Sequence, residues 1–83
     1  MQNGLMIYPG DTIKELMNDN NLTIEDLGKN TNCPIDYISD VLNGKEKIIK
    51  EFAYKLELVF NISNLFWLNL QDICEKVNNY GII

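Results

Sequence analysis

The chain has 83 residues and a formal net charge of -5; its seven basic residues are all Lys, and it has no His. That length is one small domain, and 46% hydrophobic with 23% charged residues is the composition of a folded globular chain. With no His, two cysteines and no Gly-rich phosphate loop, the common catalytic and metal-binding constellations are missing, so no enzyme, metal or cofactor is expected.

No apolar run approaches the ~20 residues that cross a bilayer, and Met1 to Leu5 carry no Lys as a signal peptide would. The expected location is the cytoplasm, with no membrane contact. Cys33 and Cys74 are expected to be reduced and to pack as small core residues.

Residues 1–7 read as a loose tail ahead of a domain spanning 8–83. Tyr8-Pro9-Gly10-Asp11 is a turn-like entry, and Asp11 is placed to cap a first helix from about Thr12 to Asn20. Ile13, Leu16 and Met17 share one face of that helix. Asn20-Asn21 ends it, because Asn tolerates left-handed backbone.

Thr23 opens a second helix, with Asp26 three residues on as a capping-box partner. Asn30 to Asn32 form a turn, and Asn32 is suited to positive φ. Pro34 fits the first turn of a third helix, which carries Ile38, Val41 and Leu42 inward and stops at Asn43-Gly44. After a loop over Lys45 to Lys47, a fourth helix spans about Ile49 to Phe60. Its inward stripe is Ile49, Phe52, Ala53, Leu56, Val59 and Phe60. Ser63 can cap a fifth helix through about Asn79, with Phe66, Leu70, Ile73, Cys74 and Val77 as its stripe. Leu65, Trp67 and Leu68 leave that helix apolar around much of its first turns, which points to a second contact. The fold class is all-α, a five-helix domain with a helix–turn–helix.

The helix–turn–helix rests on Thr23 to Gly44. Two short helices crossing steeply need a small residue where they touch, and Gly28 supplies it. Leu27, Cys33, Ile38 and Val41 anchor the pair. In such a motif the second helix of the pair lies in the major groove of double-stranded DNA. The base-reading candidates are Ile35, Asp36, Ser39 and Asp40, with Tyr37 at the margin. Ser39 can bond several bases, Asp36 can accept from a cytosine amino group, and Ile35 can pack on a thymine methyl. The phosphate-contact candidates are Lys29, Lys45, Lys47 and Lys50, with Thr23 and Asn43 adding hydroxyl and amide contacts. An Arg-free helix bearing two carboxylates points to weak or partner-assisted binding. A solvated lysine face explains the same four residues about as well.

Three stretches carry a resemblance: Pro9-Gly10-Asp11, then Asn43-Gly44-Lys45, then Ser63 followed by Phe66-Trp67-Leu68-Asn69-Leu70-Gln71. With them the chain resembles the HigA-like antitoxins, a branch of the Cro/λ-repressor-like helix–turn–helix proteins, from about Tyr8 to Tyr80. The resemblance implies a λ-repressor-like fold and a homodimer that binds a palindromic operator and represses its own operon. It also implies neutralisation of a RelE/HigB-like ribonuclease toxin. An acidic protein suits a basic RNA-gripping partner. Three positions depart from the family pattern: Ile24 stands where Gln is common, Pro34 and Ile35 where Ser-Arg is common, and Tyr8 where His often precedes Pro-Gly. Dimer contacts are expected at Trp67, Ile73, Val77 and Tyr80 of the fifth helix.

Two other functions fit the same residues. One is a stand-alone phage or mobile-element repressor. The other is a protein-binding inhibitor that has lost DNA binding and uses Asp36 and Asp40 as contacts.

Overall fold

The computed structural model describes residues 9–81, with side chains described as far as Lys76. The tail 1–7, Tyr8 and the side chains of Val77 and Tyr80 lie outside the described residues. Five helices follow in order: α1 Pro9–Asp19, α2 Ile24–Thr31, α3 Ile35–Leu42, α4 Lys50–Phe60 and α5 Asn64–Gly81. Among the described residues there is no strand, and no helix is long and apolar enough to cross a membrane.

Local chemistry explains most of the boundaries. The Thr23 hydroxyl accepts from the Asp26 N–H at 3.1 Å, and the Asp26 carboxylate accepts from the Thr23 N–H at 3.0 Å. This reciprocal capping box satisfies two donors that a helix start leaves open. Three helices exit through an Asn at positive φ: Asn21 (55°), Asn32 (56°) and Asn61 (59°). Gly44 turns the chain after α3 with φ 75°. The Ser63 hydroxyl accepts from the Leu65 N–H at the start of α5. Glu57 completes that cap, its carboxylate accepting from the Asn64 backbone N–H (2.8 Å) and side-chain amide (2.7 Å).

Helix α1 packs against α3 and α5, α2 against α3 and α4, and α4 against α5. The core joins Ile13 and Met17 of α1, Leu27 of α2, Ile38, Val41 and Leu42 of α3, Ile48, then Phe52, Ala53 and Leu56 of α4 with Trp67 of α5. Burying such side chains gains roughly 1.5–3 kcal/mol each, which is the main drive for a chain this short.

Several sequence expectations need correction. Helix α1 starts at Pro9, so Asp11 lies exposed in its first turn and not ahead of the helix. Pro34 is the N-cap of α3 with extended backbone, outside the helix proper. Ile49 is likewise the N-cap of α4 and is exposed, because a residue ahead of the first turn is off the inward stripe. The buried line of α5 is Trp67 and Cys74, while Phe66 and Ile73 are exposed. Helix α5 was apolar on more than one face, and packing against α4 and α1 selected the Trp67 face. Helix α5 also runs on to Gly81, past Asn79.

Candidate nucleic-acid interface

The α2–turn–α3 unit is rigidly built. Leu27 is fully buried beneath it. The Thr31 hydroxyl, also buried, donates to the Leu27 carbonyl at 2.7 Å and so needs no other partner. A Cβ added to Gly28 would meet Ile35 Cγ1 at 3.2 Å and the Cys33 carbonyl at 3.5 Å. Gly28 is therefore the point of close approach between the two helices. Cys33 is half-buried, with its thiol 3.5 Å from the Thr31 carbonyl, and Cys74 is buried.

Along α3, Ile35, Asp36 and Asp40 are exposed and Ser39 is half-buried. Asp36 and Asp40 are four residues apart, on one helical face. The outer surface of α3 thus offers two carboxylates, one hydroxyl and one aliphatic side chain. That set can accept from base amino groups and pack on methyls, but it lacks the fork that grips guanine.

Tyr37 does something else. Its hydroxyl donates to the Lys47 carbonyl at 2.7 Å and accepts from the Ile49 N–H at 3.1 Å. Its ring stands edge-on to Phe52, centroids 5.3 Å apart. Burial pushes the phenol's pKa up, and the Ile49 N–H only partly offsets this. The hydroxyl of this base-reading candidate is thus engaged by the loop after α3.

The basic groups bracket α3. Lys29 sits exposed in the last turn of α2. Lys45 and Lys47 are exposed on the α3–α4 loop, and Lys50 is exposed in the first turn of α4. The N–H groups of Lys45 and Glu46 both donate to the Asp40 carbonyl, at 2.8 and 3.2 Å. Lys45 and Lys47 line a cleft of about 290 Å³ with Glu46, Gln71 and Glu75. Lys47 Nζ is 3.9 Å from Glu75 Oε2, so one cationic candidate already faces a carboxylate. Asn43 is exposed just past α3. Thr23 is exposed too, and its oxygen accepts within the capping box. The two hydrogen bonds from Thr23 hold the Asp26 carboxyl below its ordinary pKa.

Gln71 received no role from the sequence alone. Its side-chain oxygen accepts from the Ile48 N–H at 3.1 Å, tying α5 to the lysine-bearing loop. Only its place directly after Phe66–Leu70 marked it out. Among the dimer candidates, Trp67 is fully buried inside the monomer and cannot meet a second chain. Ile73 is half exposed, and Val77 and Tyr80 fall outside the described side chains.

No protein-family model matches the chain. An uncharacterized HTH-type transcriptional regulator of Escherichia coli K12, YddM, is 33% identical over 64 residues, covering 77% of this chain and 68% of its own length. The solved structure of an addiction module antidote protein of a HigA family from Coxiella burnetii is 30% identical. It covers 92% of this chain and 87% of its own, with a TM-score of 0.77. The Pseudomonas aeruginosa antitoxin HigA, solved with the higBA promoter, superposes with a TM-score of 0.86 over 93% of this chain and 85% of its own. At 22% identity that last likeness speaks to the fold alone.

Proposed function

The chain belongs to the HigA family of helix–turn–helix regulators, and from that premise we propose that it is an antitoxin that binds operator DNA through α3 and represses its own operon. The observation that carries this reading is the bracketing of α3. A rigid, capped unit presents Ile35, Asp36, Ser39 and Asp40, with Lys29 before them and Lys45, Lys47 and Lys50 after. Lysines and hydroxyls supply phosphate contacts, and the short α3 face supplies sequence preference. Four lysine–phosphate contacts correspond to a salt slope of about -3 to -4. The exposed Asp36 and Asp40 subtract from affinity, so binding is moderate and strongly salt-dependent. Two copies on a palindromic operator would double the contact set, and the exposed Leu65, Phe66 and Ile73 of α5 offer apolar surface for pairing.

The protein partner in this reading is a small basic RelE/HigB-like ribonuclease toxin, drawn to a chain of net charge -5. Fluorescence anisotropy with the promoter of its own operon, at about 50 and 200 mM salt, tests the DNA half. Binding that falls steeply with salt supports it; no binding at the lower salt, with and without the neighbouring gene product, removes it. Co-purification with that neighbour tests the antitoxin half.

The pair of exposed carboxylates on α3 favours a second reading, in which this helix occupies a basic groove of another protein. Replacing Asp36 and Asp40 with Lys separates the two. Tighter DNA binding with unchanged partner capture supports the operator reading, and lost partner capture supports the other.

A further inference from the structure

The loop between α3 and α4 carries Lys45 and Lys47 and delivers Lys50, yet it has no regular secondary structure of its own. Such a segment is ordinarily mobile, and ordering it on contact with DNA costs affinity. Here its backbone is held from two sides. Tyr37 of α3 bonds Lys47 and Ile49 through one hydroxyl, donating to the first and accepting from the second. Gln71 of α5 accepts from Ile48, whose side chain is buried in the core. Three consecutive residues, Lys47 to Ile49, are thereby fixed by side chains that carry no charge. Just upstream, the Asp40 carbonyl collects the N–H groups of Lys45 and Glu46.

We propose that Tyr37 and Gln71 are positioning residues for DNA binding, holding the lysine loop in the conformation that meets the phosphate backbone. This rests on the reading of α3 as an operator-binding helix. Both residues act through backbone groups of the loop, so neither contacts a base. Their contribution is therefore the same for any duplex sequence, unlike that of Ser39 or Asp36. Gln71 also links the loop to α5, so the helix that exposes Leu65, Phe66 and Ile73 is joined to the phosphate contacts.

The test compares Tyr37→Phe, Gln71→Met and Gln71→Glu in the full chain. Affinity is measured for the operator and for an unrelated duplex. Amide hydrogen exchange is followed at Ile48 and Ile49 by NMR, below the melting temperature of each variant. Loss of the single Gln71 bond predicts about three- to tenfold weaker binding for Gln71→Met, and loss of the two Tyr37 bonds at least as much for Tyr37→Phe. The loss should be the same factor for both duplexes, with faster exchange at Ile49 and Ile48 respectively. Gln71→Glu keeps an acceptor and should restore protection at Ile48. If the wild type binds the operator and both weakened variants bind as tightly, the positioning role is wrong. If Tyr37→Phe weakens the operator alone, Tyr37 reads sequence and the proposal falls. A wild-type protein that binds neither duplex would instead remove the DNA-binding reading on which the proposal stands.

Discussion

Gly10 and Leu42 meet backbone to backbone. A Cβ added to Gly10 would lie 2.7 Å from the Leu42 Cα and would also collide with the Val41 carbonyl oxygen. Both atoms belong to the main chain at the end of α3, so no side-chain rotation relieves the contact. Gly10→Ala must push α1 away from α3, at a cost of about 1–3 kcal/mol. For a domain of this size that lowers the melting temperature by about 4–8 °C per kcal/mol. Gly28→Ala is the contrast. Its nearest neighbour is the Ile35 side chain at 3.2 Å, which can yield, and Ala gains about 1 kcal/mol of helix propensity. Thermal melting should therefore separate the two variants clearly; equal melting temperatures would contradict the packing described.

Trp67 and Ile73 sit on the same helix and predict opposite outcomes. Trp67 is fully buried against Phe60 and Phe66. Among the described residues its indole N–H has no hydrogen-bond partner. Trp67→Ala should cost about 3–5 kcal/mol. Trp67→Phe should cost markedly less, because it also removes a buried donor that is worth about 1–3 kcal/mol to leave unsatisfied. Ile73→Glu alters a half-exposed position and should leave the fold intact. If α5 pairs two copies, sedimentation will show that variant as a folded monomer. A folded dimer would move the pairing surface elsewhere.

These two pairs of residues also show how much of the fold is legible in the sequence. Several signals that act within four or five residues are legible, the Thr23–Asp26 box, positive φ at Asn32 and the stop at Asn43-Gly44, while the helix starts near Asp11 and Pro34 fall a residue or more from where the sequence puts them. Gly28 was legible because a helix–turn–helix makes one predictable close approach. The sequence puts Gly10 in a turn, because its reason for being Gly lies on α3, far along the chain. The orientation of α5 is illegible for a similar cause: with apolar residues on several faces, periodicity cannot choose, and the fit of Trp67 against its neighbours does. Tyr37 sits at the edge of the exposed face of α3, and only the path of the following loop reveals where its hydroxyl goes.

Two carboxylates that cap helices make stability depend on acid. Glu57 is held below its ordinary value of 4.5 by the Asn64 side-chain and backbone hydrogen bonds, and Asp26 below 3.8 by those from Thr23. A carboxyl whose folded pKa is depressed contributes stability that is complete above its unfolded value. That contribution is lost as pH falls through the folded value. Urea denaturation should thus give a plateau above about pH 5 and a decline below pH 4.5, where Glu57 and Asp26 take up protons. Glu57→Gln keeps an acceptor but does not titrate, so it should be less stable than wild type at neutral pH and show a shallower acid decline. An acid limb unchanged in that variant would mean that the Asn64 cap is not a source of the pH dependence.

The Lys47–Glu75 pair sets one carboxylate in competition with DNA phosphate. At 3.9 Å, with both side chains largely exposed, it adds little to stability. Its effect on binding is larger in proportion, because Lys47 must leave Glu75 to meet a phosphate, and Glu75 itself repels the backbone. Glu75→Gln should leave the melting temperature within about 1–2 °C and tighten DNA binding by about two- to fivefold at low salt. The gain should shrink as salt rises, since screening weakens both the pair and the repulsion. A double-mutant cycle with Lys47→Gln apportions the two effects. If the gain from Glu75→Gln persists undiminished without Lys47, it comes from long-range repulsion alone and Lys47 is not held back by its neighbour. If the gain largely disappears, the ion pair is what limits Lys47, and the α5 surface sets how much of the lysine loop is available to DNA.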